Sequence, residues 1–514
     1  MFVKSYCSAI SGIEAITVAV EVNITAGVGM YLVGLPDNAV RESQERIRSA
    51  FDNCEYRMSG KKVTVNLSPA DLRKEGSAYD LPIAIAILAA SGQIIAPNLS
   101  RYMLLGELSL NGAILPIKGA LPIAIQAQKE GFAGLILPEA NAHEAAVVQG
   151  LDVYGVKNLN EVIDFLQGST KLTPLKIDIE RTFAAAQYAF DYDFSDVKGQ
   201  APVKRALEVA AAGGHNVLMV GPPGSGKTML ARRMPSIMPP TTLQEALETT
   251  KIHSVAGKLG RQEGLITTRP FRAPHHLTSQ VALVGGGTNP QPGEISLAHN
   301  GILFLDELPE FSRTVLESLR QPMEEKRIVI ARSKYTVEYP ANFMLIASMN
   351  PCPCGYYNHP TKHCVCSPGS VAKYLNHISG PMLDRIDLQV EVTPVPFSDL
   401  TQTRPEESSS TIRERVIAAR HIQQKRFAGT NIHTNSMMSS RQLREWCPLD
   451  QESVKLLETA MERLNLSARA YDRIIKVART IADLEASPDI RSTHIAEAIR
   501  YRNLDRASWV PNRA

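Results

Sequence analysis

The sequence predicts an α/β fold spread over several domains and finished by an all-helical C-terminal region. Three observations carry that expectation. At 514 residues the chain is too long for a single hydrophobic core. Short apolar runs alternate with small-residue helical stretches up to about residue 170, and again over 198–396. Beyond the polar run RPEESSS (404–410), apolar residues recur at helical spacing in VKLLETAMERLNL and RIIKVARTIADL.

The elements follow in order. Val18 to Val22 alternates as a strand does. KKVTVNLSPA (61–70) reads as a strand leaving into a loop, and DLPIAIAILAASG (80–92) as a buried helix ended by Gly92. YMLLGELSLNGAILPIKG (102–119) reads as a hairpin turning at Asn111-Gly112, and GLILPEANAHEAA (134–146) as a strand followed by a helix. The resulting divisions are an α/β domain over 1–170, a linker over 171–197, a second α/β unit over 198–396, a linker over 397–410 and a helical domain over 411–508.

Composition bounds the function classes. The chain is 44% hydrophobic and 21% charged, as globular proteins are, and its net charge of +3 confines any basic surface to a local patch. No apolar stretch approaches the roughly 18 residues that span a bilayer, so no membrane partner is expected. Lys4 is not followed by a continuous apolar run, so a signal peptide is not expected and a cytoplasmic location is. Seven cysteines are too sparse for a secreted disulfide scaffold.

HNVLMVGPPGSGKTMLARR (215–233) joins the apolar strand Val217–Val220 to GPPGSGKT (221–228) and then to a helix. This is the phosphate-binding pattern in its strand–loop–helix context. Gly221, Pro222, Pro223, Gly224, Ser225 and Gly226 form the loop, whose glycines let backbone N–H groups turn toward phosphate oxygens. Lys227 places an ammonium near the β and γ phosphates of ATP, and the Thr228 hydroxyl is a Mg²⁺ ligand. In GILFLDELPEF (301–311) four apolar residues, Ile302 to Leu305, deliver Asp306 and Glu307 to a strand end. Asp306 is expected to hold magnesium through water, and Glu307 to polarise the attacking water. FMLIASMNP (343–351) is a third buried strand, ending in Asn350, which can hold that water. Arg385 precedes a further strand; it reads either as a finger reaching a neighbour's ATP or as a surface cation paired with Asp384 or Asp387. Arg469 and Arg473 lie one helical turn apart, and either could reach a γ-phosphate.

Four of the cysteines, Cys352, Cys354, Cys364 and Cys366, fall in PCPCGYYNHPTKHCVCSP (351–368). Four thiolates suit a tetrahedral, structural Zn²⁺ with no open position, and His359 and His363 are alternative ligands.

The order of these motifs is similar to that of the magnesium-chelatase and MCM-helicase clade of AAA+ proteins. Through FRAPHHLTSQVALVGGG (271–287), PGEISLAHNGILFLDELPEF (292–311), NPCPCGYY (350–357) and SGPMLDRIDL (379–388), the chain closely resembles the ComM/YifB family of bacterial Mg-chelatase-like ATPases. The resemblance implies a Mg²⁺-dependent ATPase core with a helical lid, assembled as a homo-oligomeric, hexameric ring that moves along single-stranded or branched DNA. It makes Asn350 sensor 1, Arg385 the arginine finger and Arg469 sensor 2. RIVIAR and YTVEYP match the clade's pre-sensor hairpin, whose tip here carries Arg332 and Lys334 as DNA-phosphate contacts. Residues 276–300 match a second channel insertion, with His275 and His276 at its start read as loop or packing residues. A chelatase-type or protein-remodelling motor would share every ATPase residue.

LRKEGSAYDLPIAIAIL and GELSLNGAILPIKGALPIAI resemble the proteolytic domain of Lon. At the positions of that family's serine and lysine stand Ala78 and Leu121; Ser77 is one residue off and Lys118 three residues early. A Ser–Lys pair must touch for the lysine to activate the hydroxyl, so a retained fold without peptidase chemistry is expected.

Overall fold

The computed structural model describes residues 1–502 except 187, 189, 261–262, 288–289, 333–334, 358, 360, 397–405 and 465; at 182, 184–186, 332 and 335 it describes the backbone alone. The chain divides into two units. One takes 1–186, 243–267 and 333–339, and the other takes the rest.

The first unit is built on a seven-stranded sheet. Its strands are β1 (Phe2–Ser11), β2 (Glu14–Thr25), β3 (Met30–Val33), β4 (Lys62–Ser68), β5 (Tyr102–Leu104), β8 (Gly134–Pro138) and β9 (Asp152–Val156), in the order β3-β4-β2-β1-β5-β8-β9. The β1–β2 and β2–β4 pairs are antiparallel, whereas β1–β5, β5–β8 and β8–β9 are parallel. Two short strands, β6 (Glu107–Leu108) and β7 (Ile114–Leu115), pair beside it. The expected hairpin over 102–119 is therefore confined to β6 and β7, while β5 leaves it for the sheet. The reason is that Tyr-Met-Leu-Leu does not alternate; an unbroken apolar run suits a parallel strand covered on both faces. The helix Asp80–Ser91 has every residue from Asp80 to Ala90 buried, and Gly92 ends it in the left-handed region, as the sequence predicts. The stretch expected to be a plain linker holds a helix, Ile179–Ala186, and a short turn of helix, Phe194–Asp196, closed by a capping box between Asp193 and Asp196.

The second unit holds a parallel five-stranded sheet. In chain order its strands are β10 (Val217–Val220), β11 (Phe271–Arg272), β14 (Ile302–Leu305), β17 (Met344–Met349) and β18 (Leu388–Glu391), and across the sheet they run β11-β14-β17-β10-β18. A small antiparallel pair, β12 (Gly285–Gly286) and β13 (Gln291–Pro292), sits in the insertion before β14. The two short strands expected before β17 are present as β15 (Arg327–Arg332) and β16 (Tyr335–Pro340). Val217 pairs with Ile346 on one side and Leu388 on the other, so β10 and β18 start level, β17 begins two residues earlier, and all three end level. Their largely apolar, buried sequences are what a strand covered on both faces requires.

The C-terminal helices Ser409–Arg426, Gln451–Arg463, Ala468–Leu484 and Ser492–Arg500 pack into the same core as the sheet, through Val416, Ala419, Ile474, Val477 and Ile481. Ser408, Asp450 and Ser467 cap the first three by accepting from backbone N–H groups. Among the described residues, no helix is long and apolar enough to cross a membrane.

Candidate nucleotide site

The parallel sheet places three loops side by side at the C-terminal ends of β10, β14 and β17, where ligands collect in open α/β sheets. After β10 the chain turns through 221–226 into the helix Lys227–Ile237. Gly221 is required there by space, because a Cβ would lie 2.2 Å from the Val392 carbonyl oxygen. Gly224 and Gly226 adopt φ of 78° and 93°, the left-handed turn that aims successive N–H groups into one concavity.

Lys227 is buried, and its Nζ donates to the Gly221 and Pro222 carbonyls at 2.8 and 2.9 Å and to Asn350 Oδ1 at 3.3 Å. Burial lowers its pKa, with Asp306 and Glu307 acting in the opposite sense. The Thr228 hydroxyl donates to Asp306 Oδ2 at 2.7 Å. The other Asp306 oxygen accepts from the Ser348 hydroxyl and from the Glu307 N–H at 3.1 Å. A hydroxyl and a carboxylate converging on one point are the hard oxygen donors that Mg²⁺ takes, so the residues present fit a nucleotide–magnesium pair. Glu307 stands half-exposed with φ 54°, and its Oε2 lies 3.4 Å from His276 Nδ1. The structure thus gathers Lys227, Thr228, Asp306, Glu307 and Asn350 as the sequence reading groups them.

The arginines are elsewhere. Arg385 sits just before β18, and its carbonyl accepts from Asn216 Nδ2 at 2.9 Å, where Asn216 immediately precedes β10. Arg385 is therefore at the N-terminal end of the strands whose C-terminal ends carry the phosphate loop. Its guanidinium pairs with Glu324 at 2.5 Å and donates to the Pro381 carbonyl at 2.6 Å, and neither Asp384 nor Asp387 is its partner in those contacts. Arg469 is 68% exposed, with Asp384, the neighbour of Arg385, 3.7 Å away. Arg473 is committed to buried Asp387 at 2.5 Å. Although burial opposes ionisation of Asp387, the charge of Arg473 and the adjacent His215 imidazole prevail and hold its carboxyl well below the usual range.

The cysteine loop follows β17. Cys352 Sγ lies 3.3 Å from Cys354 Sγ and 3.6 Å from Cys364 Sγ, with Cys354 and Cys364 3.5 Å apart. All four sulfur atoms fall within 4.8 Å of one another. Thiolates around tetrahedral zinc would be about 3.8 Å apart, given Zn–S bonds of about 2.3 Å. Burial opposes it, but backbone N–H groups of Tyr356 and Val365 bring the Cys354 thiol down to about 6, toward the thiolate a metal needs. His359 uses Nδ1 to accept from the Thr361 and Lys362 N–H groups. The loop also leans on the nucleotide site, for a Cβ at Gly355 would meet Pro223 Cδ at 2.5 Å.

Of the DNA residues expected at the hairpin tip, Lys334 and the side chain of Arg332 lie outside the described residues. In the first unit Ala78 is half-buried and Leu121 is fully buried, its N–H donating to Glu144 at 2.9 Å. The Ser77 hydroxyl donates to Glu107, and Lys118 runs along Gly257. Three residues of the second unit gain an importance that sequence reading misses. His276, taken as packing, faces Glu307; Ser348 and Asn216 carry no signal at all, because each acts across a strand pairing that only the fold creates.

Comparison with known proteins places relatives along nearly the whole chain. Three family models match: "Magnesium chelatase, subunit ChlI" over residues 193–400, "Subunit ChlI of Mg-chelatase" over 20–141, and "Magnesium chelatase, subunit ChlI C-terminal" over 406–502. The competence protein ComM of Haemophilus influenzae is 45% identical over 505 residues, 98% of this chain and 97% of its own. The protein YifB of Escherichia coli is 45% identical over 498 residues, 96% of each chain. A more distant relative, the DNA replication licensing factor mcm6 of Dictyostelium discoideum, is 23% identical over 321 residues, 60% of this chain and 32% of its own.

Proposed function

The chain belongs to the ComM/YifB family of magnesium-chelatase-like AAA+ ATPases, and from that premise we propose that it is a ring-forming, Mg²⁺-dependent ATPase that drives DNA through or past the ring, as in branch migration. The observation that carries the assembly is the separation of Arg385 from its own phosphate loop by the length of β10. An arginine so placed serves a neighbour's nucleotide, and Arg469, beside Asp384, is carried to the same interface.

Within one subunit the roles follow from the contacts. Lys227 exchanges its carbonyl partners for β and γ phosphate oxygens, and loop N–H groups hold the remainder. Thr228 and Asp306 would hold Mg²⁺, which when bound would supply charge neutralisation at the phosphates. Glu307 takes the proton of the attacking water while Asn350 orients it. The division of labour proposed is an N-terminal Lon-like domain over 1–170, an ATPase core over 198–396 and a lid over 411–508. No peptidase step is assigned to the first, since Ser77 is engaged with Glu107 and Leu121 stands where a lysine would be needed. The four cysteines are proposed to hold one structural Zn²⁺.

DNA as substrate is supported by the names of two relatives, a competence protein and a DNA replication licensing factor. A second reading, a chelatase-type or protein-remodelling motor, is favoured by the descriptions of the three matching family models. ATP-dependent displacement of strands from forked and four-way DNA, with ATP turnover rising on the same DNA, is the expected result. Absence of both leaves the second reading.

A further inference from the structure

Asn216 makes an unusual set of bonds for a residue at a strand entrance. Its side-chain Oδ1 accepts from the Leu345 N–H at 2.8 Å, and its Nδ2 donates to the Arg385 carbonyl at 2.9 Å. Its backbone N–H donates to Asp387 Oδ2 at 3.1 Å, and its carbonyl accepts from the N–H groups of Asp387 and Leu388, both at 3.0 Å. One amide therefore joins the start of β17 to the turn that presents Arg385. β17 is a buried strand whose other end carries Ser348, bonded to Asp306, and Asn350, bonded to Lys227. Asp387, fixed on the same residue, holds Arg473 of the helix Ala468–Leu484, on which Arg469 also sits.

We infer that Asn216 is a positioning residue that ties the Arg385 finger to the sensor strand of its own subunit, so that the state of one pocket sets the arginine offered to the next. This rests on the reading of Arg385 as a finger acting on a neighbour. The mechanics are direct. A strand hydrogen-bonded on both sides moves as a unit, and here β17 lies between β14 and β10. A shift of Asn350 with the nucleotide is thus felt at Leu345, and the Asn216 amide passes it to the Arg385 backbone rather than to the exposed surface.

Two substitutions separate this role from bracing of the sheet. Asn216→Ala removes both side-chain bonds. Asn216→Asp keeps an acceptor for Leu345 but replaces the donor to the Arg385 carbonyl with an oxygen. ATP affinity is expected to stay within about twofold in both variants, and turnover to fall on the order of 100-fold, the cost of misplacing a reacting group by about 1 Å. Mixing either variant with Glu307→Gln subunits, whose pockets still hold ATP, should restore turnover, because an intact pocket then meets a finger set by a filled pocket. Arg385→Ala is run alongside. If Arg385→Ala itself keeps full turnover, the finger reading fails. If Arg385→Ala is inactive while Asn216→Asp turns over normally, only the present inference falls. It also falls if both Asn216 variants lose ATP binding, or if neither is rescued in mixtures that rescue Arg385→Ala, since Asn216 would then serve the pocket's fold.

Discussion

His276 Nδ1 stands 3.4 Å from Glu307 Oε2, so the carboxylate read as the water activator is turned toward the first residue of the channel insertion. The same imidazole packs edge-on against buried Phe311, which limits its freedom to follow the carboxylate elsewhere. Beyond it the insertion exposes Leu277 and Val281. His276→Ala should free Glu307: basal turnover is expected to rise about fivefold, the lower range of coupling between sites, with ATP affinity unchanged. Stimulation by DNA should shrink correspondingly. Steady-state kinetics with and without DNA read both, and unchanged basal turnover would remove any restraining role for this contact.

Lys227→Ala should abolish nucleotide binding, while Glu307→Gln should bind ATP and lose roughly 100-fold or more in turnover. The difference reflects a buried ammonium that meets phosphate charge against a carboxylate that meets only water. Equilibrium binding of a fluorescent ATP analogue beside phosphate release separates the two, and wild-type turnover in Glu307→Gln would move the base elsewhere.

Arg385→Ala should bind ATP nearly as well as wild type and lose hydrolysis by about 1000-fold, the lower end for an arginine finger. Mixed with Lys227→Ala subunits, it should recover part of that activity. A lack of recovery in rings shown to be mixed would place the arginine's action within its own subunit.

One zinc per chain should accompany protein purified without added metal, and a strong chelator should lower its melting temperature. Because Gly355 abuts Pro223, the same treatment should weaken ATP binding. Metal content near zero with four freely titratable thiols would dispose of the site.

Lys334→Ala combined with Arg332→Ala should weaken DNA binding and flatten its dependence on salt, the slope falling by about one for each phosphate that is no longer neutralised. Sequence preference should not move, since phosphate contacts carry no base information. A double variant that binds DNA as wild type does would shift the grip to 276–300.

The legible part of the site is the part that is contiguous in sequence. The strand, glycine turn and lysine of 217–228 lie close together and dictate one another, and Asp306 is announced by four apolar residues ending in two acids. The buried helix Asp80–Ser91 is equally plain, since a segment apolar on every side has nowhere to go but a core. What escapes a reading along the chain is set by pairing between distant segments. Asn216 meets Leu345 and Arg385 only because β10 lies between β17 and β18. Tyr102–Leu104 reads as half of a hairpin, since nothing nearby in sequence reveals that β1 and β8 wait on either side. His276 has only His275 beside it in sequence, and that pair says nothing of Glu307.

The polarity of β10 also restricts symmetry. With the phosphate loop at one end of the strand and Arg385 at the other, the two surfaces that would meet under the proposed finger role are different surfaces of the same molecule. A two-fold dimer joins like to like, and would bury two arginines together while leaving both pockets unserved. Under the proposed role only head-to-tail contact would be productive, and such contact has no natural end until it closes on itself. An isolated pair can therefore complete at most one of its two sites, and specific activity should climb with protein concentration rather than stay level.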